Sequence, residues 1–90
     1  MFYIYTLKSV KGGKLYIGSS DDLKRRFAEH NSGMAASTKY RGPFNLVYLV
    51  YYEAYASEKD ARTRERMLKR FSGSYMHLKR RIRHSLIFFK

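Results

Sequence analysis

From Phe2 to Ser9 the chain reads FYIYTLKS, aromatic and aliphatic positions crowded together with few polar interruptions, which predicts a β-strand. A Gly-Gly pair in VKGGK follows, and KLYIGS at Lys14 to Ser19 returns as a second strand, so the two predict an antiparallel hairpin. The period then changes. Leu23 and Phe27 stand four apart, behind Asp21 or Ser20 as a cap and ahead of NSG, and predict a helix from Asp22 to about Asn31. GMAASTKYRGPF, Gly33 to Phe44, is turn-rich, carries the only proline, Pro43, and reads as an exposed loop. Asn45 to Tyr55, NLVYLVYYEAY, is almost wholly apolar and predicts a strand buried on both faces at the centre of a sheet. Ser57, with Asp60 three residues later, opens a second helix to about Phe71, where SGS stops it. Tyr75 to about Ser85 is basic, with Met76, Leu78 and Ile82 as a weak helical period, and LIFFK ends the chain. The order β-β-α-β-α-α predicts an α/β chain of the α+β type, a small antiparallel sheet with helices packed on it.

Ninety residues make one domain with a single modest core, so separate cofactor or regulatory domains are not expected within them. We therefore expect one domain over residues 1–90, with a basic C-terminal helical extension over about 74–90. A hydrophobic share of 44% with nine Tyr and six Phe excludes disorder. The absence of cysteine excludes a disulfide framework or thiolate metal site and suits the reducing cytoplasm. MFYIYTLKSV lacks an export leader, and no window approaches the roughly 18 apolar residues of a membrane span, so no membrane partner is expected.

Charge changes the picture more. The formal net charge is +12, and residues 59–83 alone hold ten basic and two acidic groups. A chain this basic meets polyanions, above all nucleic acid, because each neutralised phosphate releases counterions. The expected phosphate contacts are Arg25, Lys39, Arg41, Lys69, Arg70, Lys79, Arg80, Arg81 and Arg83. Gly18 is expected to let a ligand approach the backbone of the second strand.

Polar residues also fall where apolar ones belong. Leu23, Arg26, Phe27 and His30 share one stripe of the first helix, so packing Leu23 and Phe27 on the sheet brings an arginine and a histidine to the core border. On the second helix Glu65 lies between Ala61 and Leu68 of the apolar face. Inward charge is costly unless paired or metal-bound, so a site is one reading and a buried Arg26–Glu65 ion pair the other.

YIY at Tyr3 to Tyr5, YIG at Tyr16 to Gly18, DLKRRFAEH at Asp22 to His30 and ARTRERMLK at Ala61 to Lys69 resemble the GIY-YIG nuclease superfamily, closest to its small single-domain bacterial-type members. The resemblance covers about residues 2–72 and implies a three-stranded antiparallel sheet flanked by helices, with metal-dependent endonuclease cleavage of DNA. It implies that Tyr5 and Tyr16 are the tyrosines of the two motifs, Arg26 the arginine, His30 the His-or-Tyr position and Glu65 the carboxylate that holds Mg²⁺ or Mn²⁺. Tyr3 replaces the first-motif glycine. Asn31, Lys69 and His77 are the candidates for the Asn or Lys that some members place near the metal or phosphate.

With one carboxylate the chemistry is that of a single metal. Arg26 would clamp the scissile phosphate with its planar fork. Tyr5, Tyr16 or His30 would be the base; a free tyrosine, with a pKa near 10, needs a metal or arginine beside it. Asp21, Asp22 and Glu29 read as cap, first-turn and outward-facing groups. The expected substrate is DNA, branched and flapped forms among the candidates, with RNA less favoured. Two rivals are a non-catalytic nucleic-acid-binding module with the same fold and a small RNA-associated basic protein.

Overall fold

The computed structural model describes residues 1–10, 12–32 and 47–88. β1 (Phe2–Ser9) and β2 (Leu15–Ser20) form the expected hairpin, pairing Tyr5 with Gly18 and Leu7 with Tyr16. Gly12 and Gly13 turn it with φ of 89° and 69°, values that a side chain resists. The Ser9 N–H closes the turn on the Lys14 carbonyl at 2.8 Å.

β3 (Val47–Tyr55) adds antiparallel to the other side of β1, giving the order β2-β1-β3. The centre of the sheet is therefore β1, and the apolar β3 lies at an edge. A bulge explains why β3 looked central. Thr6 pairs with Tyr51 and Leu7 with Leu49, so Val50 is the extra residue. Its insertion flips the alternation: Val47 and Leu49 pack with Tyr5 and Leu7, whereas Tyr51 and Tyr55 pack on the opposite face with Ile4. Alternate apolar positions of β3 thus serve one face before the bulge and the other face after it.

α1 (Leu23–Ser32) starts one residue later than expected, and its cap is Asp22, whose Oδ1 accepts the Arg25 N–H at 3.1 Å. Ser20 Oγ instead accepts the Asp22 N–H at 3.0 Å. α2 (Glu58–Arg70) begins after Ser57, which takes the extended cap conformation without a side-chain hydrogen bond, so the cap is positional only. Phe71, with φ −110° and ψ 109°, is a single extended residue between α2 and α3 (Ser72–Arg81); SGS thus opens a helix rather than separating two. α4 (Arg83–Phe88) follows, carrying the C-terminal helical segment beyond Ser85. The expected loop at 33–46, with Lys39 and Arg41, lies outside the described residues.

The three-stranded sheet is covered on both faces. Leu23 and Phe27 of α1 pack on Tyr5, Leu7 and Val47. On the other face Ala61 and Leu68 of α2, Leu78 of α3 and Ile82 close over Ile4. Among the described residues no helix is long and apolar enough to cross a membrane.

Candidate active site

Strand alternation sorts the hairpin's side chains. Tyr5 and Tyr16 face α1, whereas Ile4 and Ile17 face α2. Ser19, two residues past Ile17, turns to the α2 side as well and reaches Glu65. β2 is an edge of the sheet, so groups above and below it can meet around that edge. They do so in a cleft of about 160 Å³ whose walls include Tyr5, Tyr16, Arg26, His30 and Glu65. Gly18 and Lys69 also line it.

On the α1 side, burying Leu23 and Phe27 carries His30 into the interior, where it is 2% exposed. The Tyr5 hydroxyl and His30 Nε2 are 3.2 Å apart, with the rings edge to face at 5.8 Å. Burial first, then the Arg26 charge, lowers the His30 pKa, so the imidazole is neutral at pH 7. The Arg26 guanidinium is raised above its ordinary value first by a hydrogen bond to the Tyr5 oxygen, against opposing burial, and then by Glu29. Its NH1 lies 3.1 Å from Glu29 Oε1. Glu29, read from sequence as outward-facing, thus holds the arginine. Gly18 has a packing reason as well. A Cβ there would stand 2.5 Å from Tyr5 Cζ, so the missing side chain makes room for the tyrosine ring.

On the α2 side, Glu65 accepts from Ser19 Oγ at 2.8 Å and from Lys69 Nζ at 3.0 Å. An Arg26–Glu65 ion pair is not formed: Arg26 pairs with Glu29 and Glu65 with Lys69. Glu65 offers one carboxylate beside hydroxyl oxygens, hard donors of the kind a divalent cation takes together with water, and its Oε2 is held by an ammonium that such a cation would displace. Among the described residues no group of three His, Cys, Asp or Glu could form a closed metal cage.

The other expected contacts are spread more widely. Arg25 sits beside Asp21 at 3.6 Å. Arg70, Lys79, Arg80, Arg81 and Arg83 are exposed on α2, α3 and α4. Lys79 Nζ stands 5.4 Å from the Tyr75 ring centre. Of the three unranked residues, Lys69 reaches the cleft; Asn31 accepts the Val47 N–H at 2.8 Å, a structural role, and His77 is exposed on α3. Ser19 was missed, although strand period would have put it beside Ile17 on the α2 side. A second polar cluster also escaped the sequence. Glu53 accepts from Tyr51, from Tyr55 and, through both its oxygens, from Arg64.

The family model described as the GIY-YIG catalytic domain matches residues 1–83. A UPF0213 protein of Staphylococcus saprophyticus is 42% identical over 78% of this chain and 82% of its own. One of Clostridium perfringens is 38% identical over 80% of this chain and 74% of its own. No solved structure matches the chain at a significant level. With tyrosines, arginine, histidine and helical glutamate gathered at the edge of a three-stranded sheet, and the match running over nearly the whole sequence, the chain belongs to the GIY-YIG family.

Proposed function

We propose that this single domain is a metal-dependent endonuclease that hydrolyses phosphodiester bonds in DNA. The observation that carries the reading is Glu65: a carboxylate on α2 meeting Arg26 and His30 of α1 and Tyr5 and Tyr16 of the hairpin in one cleft. Glu65 would hold Mg²⁺ or Mn²⁺, which when bound supplies a Lewis acid for the phosphoryl oxygens and a more acidic water.

The chain's own residues divide the remaining work. Arg26, already anchored by Glu29, offers its free donors to the non-bridging oxygens of the scissile phosphate, where charge grows in the transition state. Neutral His30 draws the Tyr5 hydroxyl proton to Nε2 in the same motion in which the Tyr5 oxygen takes a proton from the attacking water. The neighbouring guanidinium stabilises the partial negative charge on that oxygen during the transfer. Tyr16, on the adjacent strand, orients the phosphate or water. Lys69, which holds Glu65 Oε2 with its ammonium, would be free to reach a phosphate oxygen when Glu65 holds a divalent cation. The basic helices hold the flanking backbone.

The test is cleavage of branched, flapped and plain duplex DNA with Mg²⁺, with Mn²⁺ and with chelator, by wild type and Glu65→Gln. Metal-dependent cutting by wild type that disappears in Glu65→Gln, with DNA binding kept or strengthened, is the expected result. Equal cutting by the two removes Glu65 as the group that holds the metal, and no cutting by wild type on any substrate makes the domain a non-catalytic binder.

A further inference from the structure

The catalytic cleft is the narrow middle of a longer depression. Toward the end of β2 it shares Ser19 and Arg26 with a cavity of about 540 Å³, which Arg25 and Arg62 border from α1 and α2 over a floor that includes Phe2. Toward the start of β2 it shares Tyr16, Ile17 and Lys69 with a cavity of about 440 Å³ walled by Lys14 and Tyr75. The three follow the residues of β2 in order, Lys14 to Ser20, along an outer edge of the sheet.

We infer that this β2-edge depression is the track of one DNA strand, running from Lys14 and Tyr75 past the cleft to Arg25 and Arg62. The inference rests on the reading of the cleft as a phosphodiester site and names the residues that hold the strand on either side of it. Six strand residues span roughly 20 Å, long enough for several consecutive phosphates. Each end joins cations to an aromatic ring: Lys14 beside Tyr75, whose ring also has the Lys79 ammonium over it, and Arg25 and Arg62 beside Phe2. Cations meet phosphates, and rings meet sugars or bases.

The acidic residues of the larger cavity do not oppose this. Arg25 pairs with Asp21 at 3.6 Å and Arg62 with Glu58 at 3.2 Å, both between exposed side chains one helical turn apart. Such pairs are weak and easily exchanged for a phosphate, which accepts two prongs of a guanidinium at once. Arg26 differs, being half-buried and fixed by Glu29, as a catalytic clamp needs to be.

The test is binding of a labelled DNA in chelator, so that no cutting is needed, at several salt concentrations. Lys14→Gln and Arg62→Gln remove one charge at either end of the track; Lys59→Gln and Arg66→Gln remove one charge each from exposed α2 positions that border none of the three cavities. The end variants should each weaken binding several-fold and lower the slope of log K against log salt by about one, with the α2 controls close to wild type. Equal loss in the controls overturns the track, since charge alone then explains binding. An effect at only one end overturns it too, because the strand then does not run the length of β2. Loss at both ends in a protein that never cuts DNA leaves the track standing and removes the nuclease reading, so the two fail separately.

Discussion

Arg64 and Glu65, neighbours on α2, are tied to opposite edges of the sheet: the Arg64 guanidinium meets both oxygens of Glu53 on β3, and Glu65 accepts the hydroxyl of Ser19 on β2. Between them the apolar stripe of α2 is narrow, Ala61 and Leu68 being its buried members. A stripe of that width sets the height of the helix above the sheet but restrains its roll weakly. The two polar anchors supply the roll, and with it the direction in which Glu65 points.

Removing the β3 anchor should therefore act on stability and on the site together. The Glu53 and Arg64 side chains are 14% and 22% exposed, so Glu53→Gln leaves a mostly buried guanidinium without its counter-charge. We expect a loss of about 2 kcal/mol and a melting temperature lower by roughly 10 °C, followed by circular dichroism. Burial pushes the Glu53 carboxyl up, but hydrogen bonds from Arg64, Tyr55 and Tyr51 together outweigh it and hold the pKa below its ordinary 4.5. Tyr55, by burial and then by Glu53, is pushed up to about 12 and keeps its proton. The stabilisation from Glu53 is thus complete above pH 4.5 and declines as pH falls through the lowered value. Melts from pH 7 to pH 3 should show a steeper acid loss in wild type than in Glu53→Gln; parallel curves would refute the role given to this carboxylate.

The pH dependence of cutting should follow His30. Its pKa lies below the ordinary 6.5, so the neutral form, which can accept from Tyr5, persists into mildly acidic solution and is lost only as pH falls through the lowered value. The acid limb of the rate profile should accordingly lie below pH 6.5 and vanish in His30→Asn, whose residual rate stays flat across that range. An unchanged limb in the variant would assign the titration to another group.

Gly18→Ala probes packing without changing charge. The added methyl would collide with the Tyr5 ring, and φ at Gly18 is not in the left-handed region, so the effect is steric alone. We expect about 1–3 kcal/mol of destabilisation and a cutting rate as low as that of Tyr5→Phe, since the displaced ring loses His30. A folded variant with the wild-type rate would mean that Tyr5 is dispensable.

Arg26→Lys keeps the charge and removes the fork. DNA affinity should stay near wild type while the rate falls by about 10²- to 10³-fold, the usual cost of losing a preorganised donor at a developing charge. Single-turnover cleavage and Kd at one salt concentration separate the two effects. A matching fall in affinity would make Arg26 a binding contact rather than a clamp.

What the amino-acid order determined by itself was local. The Gly-Gly hairpin, the helices and the inward stripe carrying Arg26, His30 and Glu65 follow from periods of 2 and 3.6, which neighbouring residues set without reference to the rest of the chain. Strand order was beyond it, because β1 takes its place between β2 and β3 through pairings across some 45 residues, and an apolar run looks the same at an edge as at the centre. The bulge at Val50 decided more: one extra residue turned Glu53 toward Arg64, which an unbroken alternation from Val47 would have sent to the other face. The same holds at the cleft, where the sequence could name Glu65 and Arg26 as inward charges but not their partners. Whether they paired with each other or with Lys69, Ser19 and Glu29 depended on which side of the sheet each helix packed, and that is set by the two cores closing over opposite faces of β1.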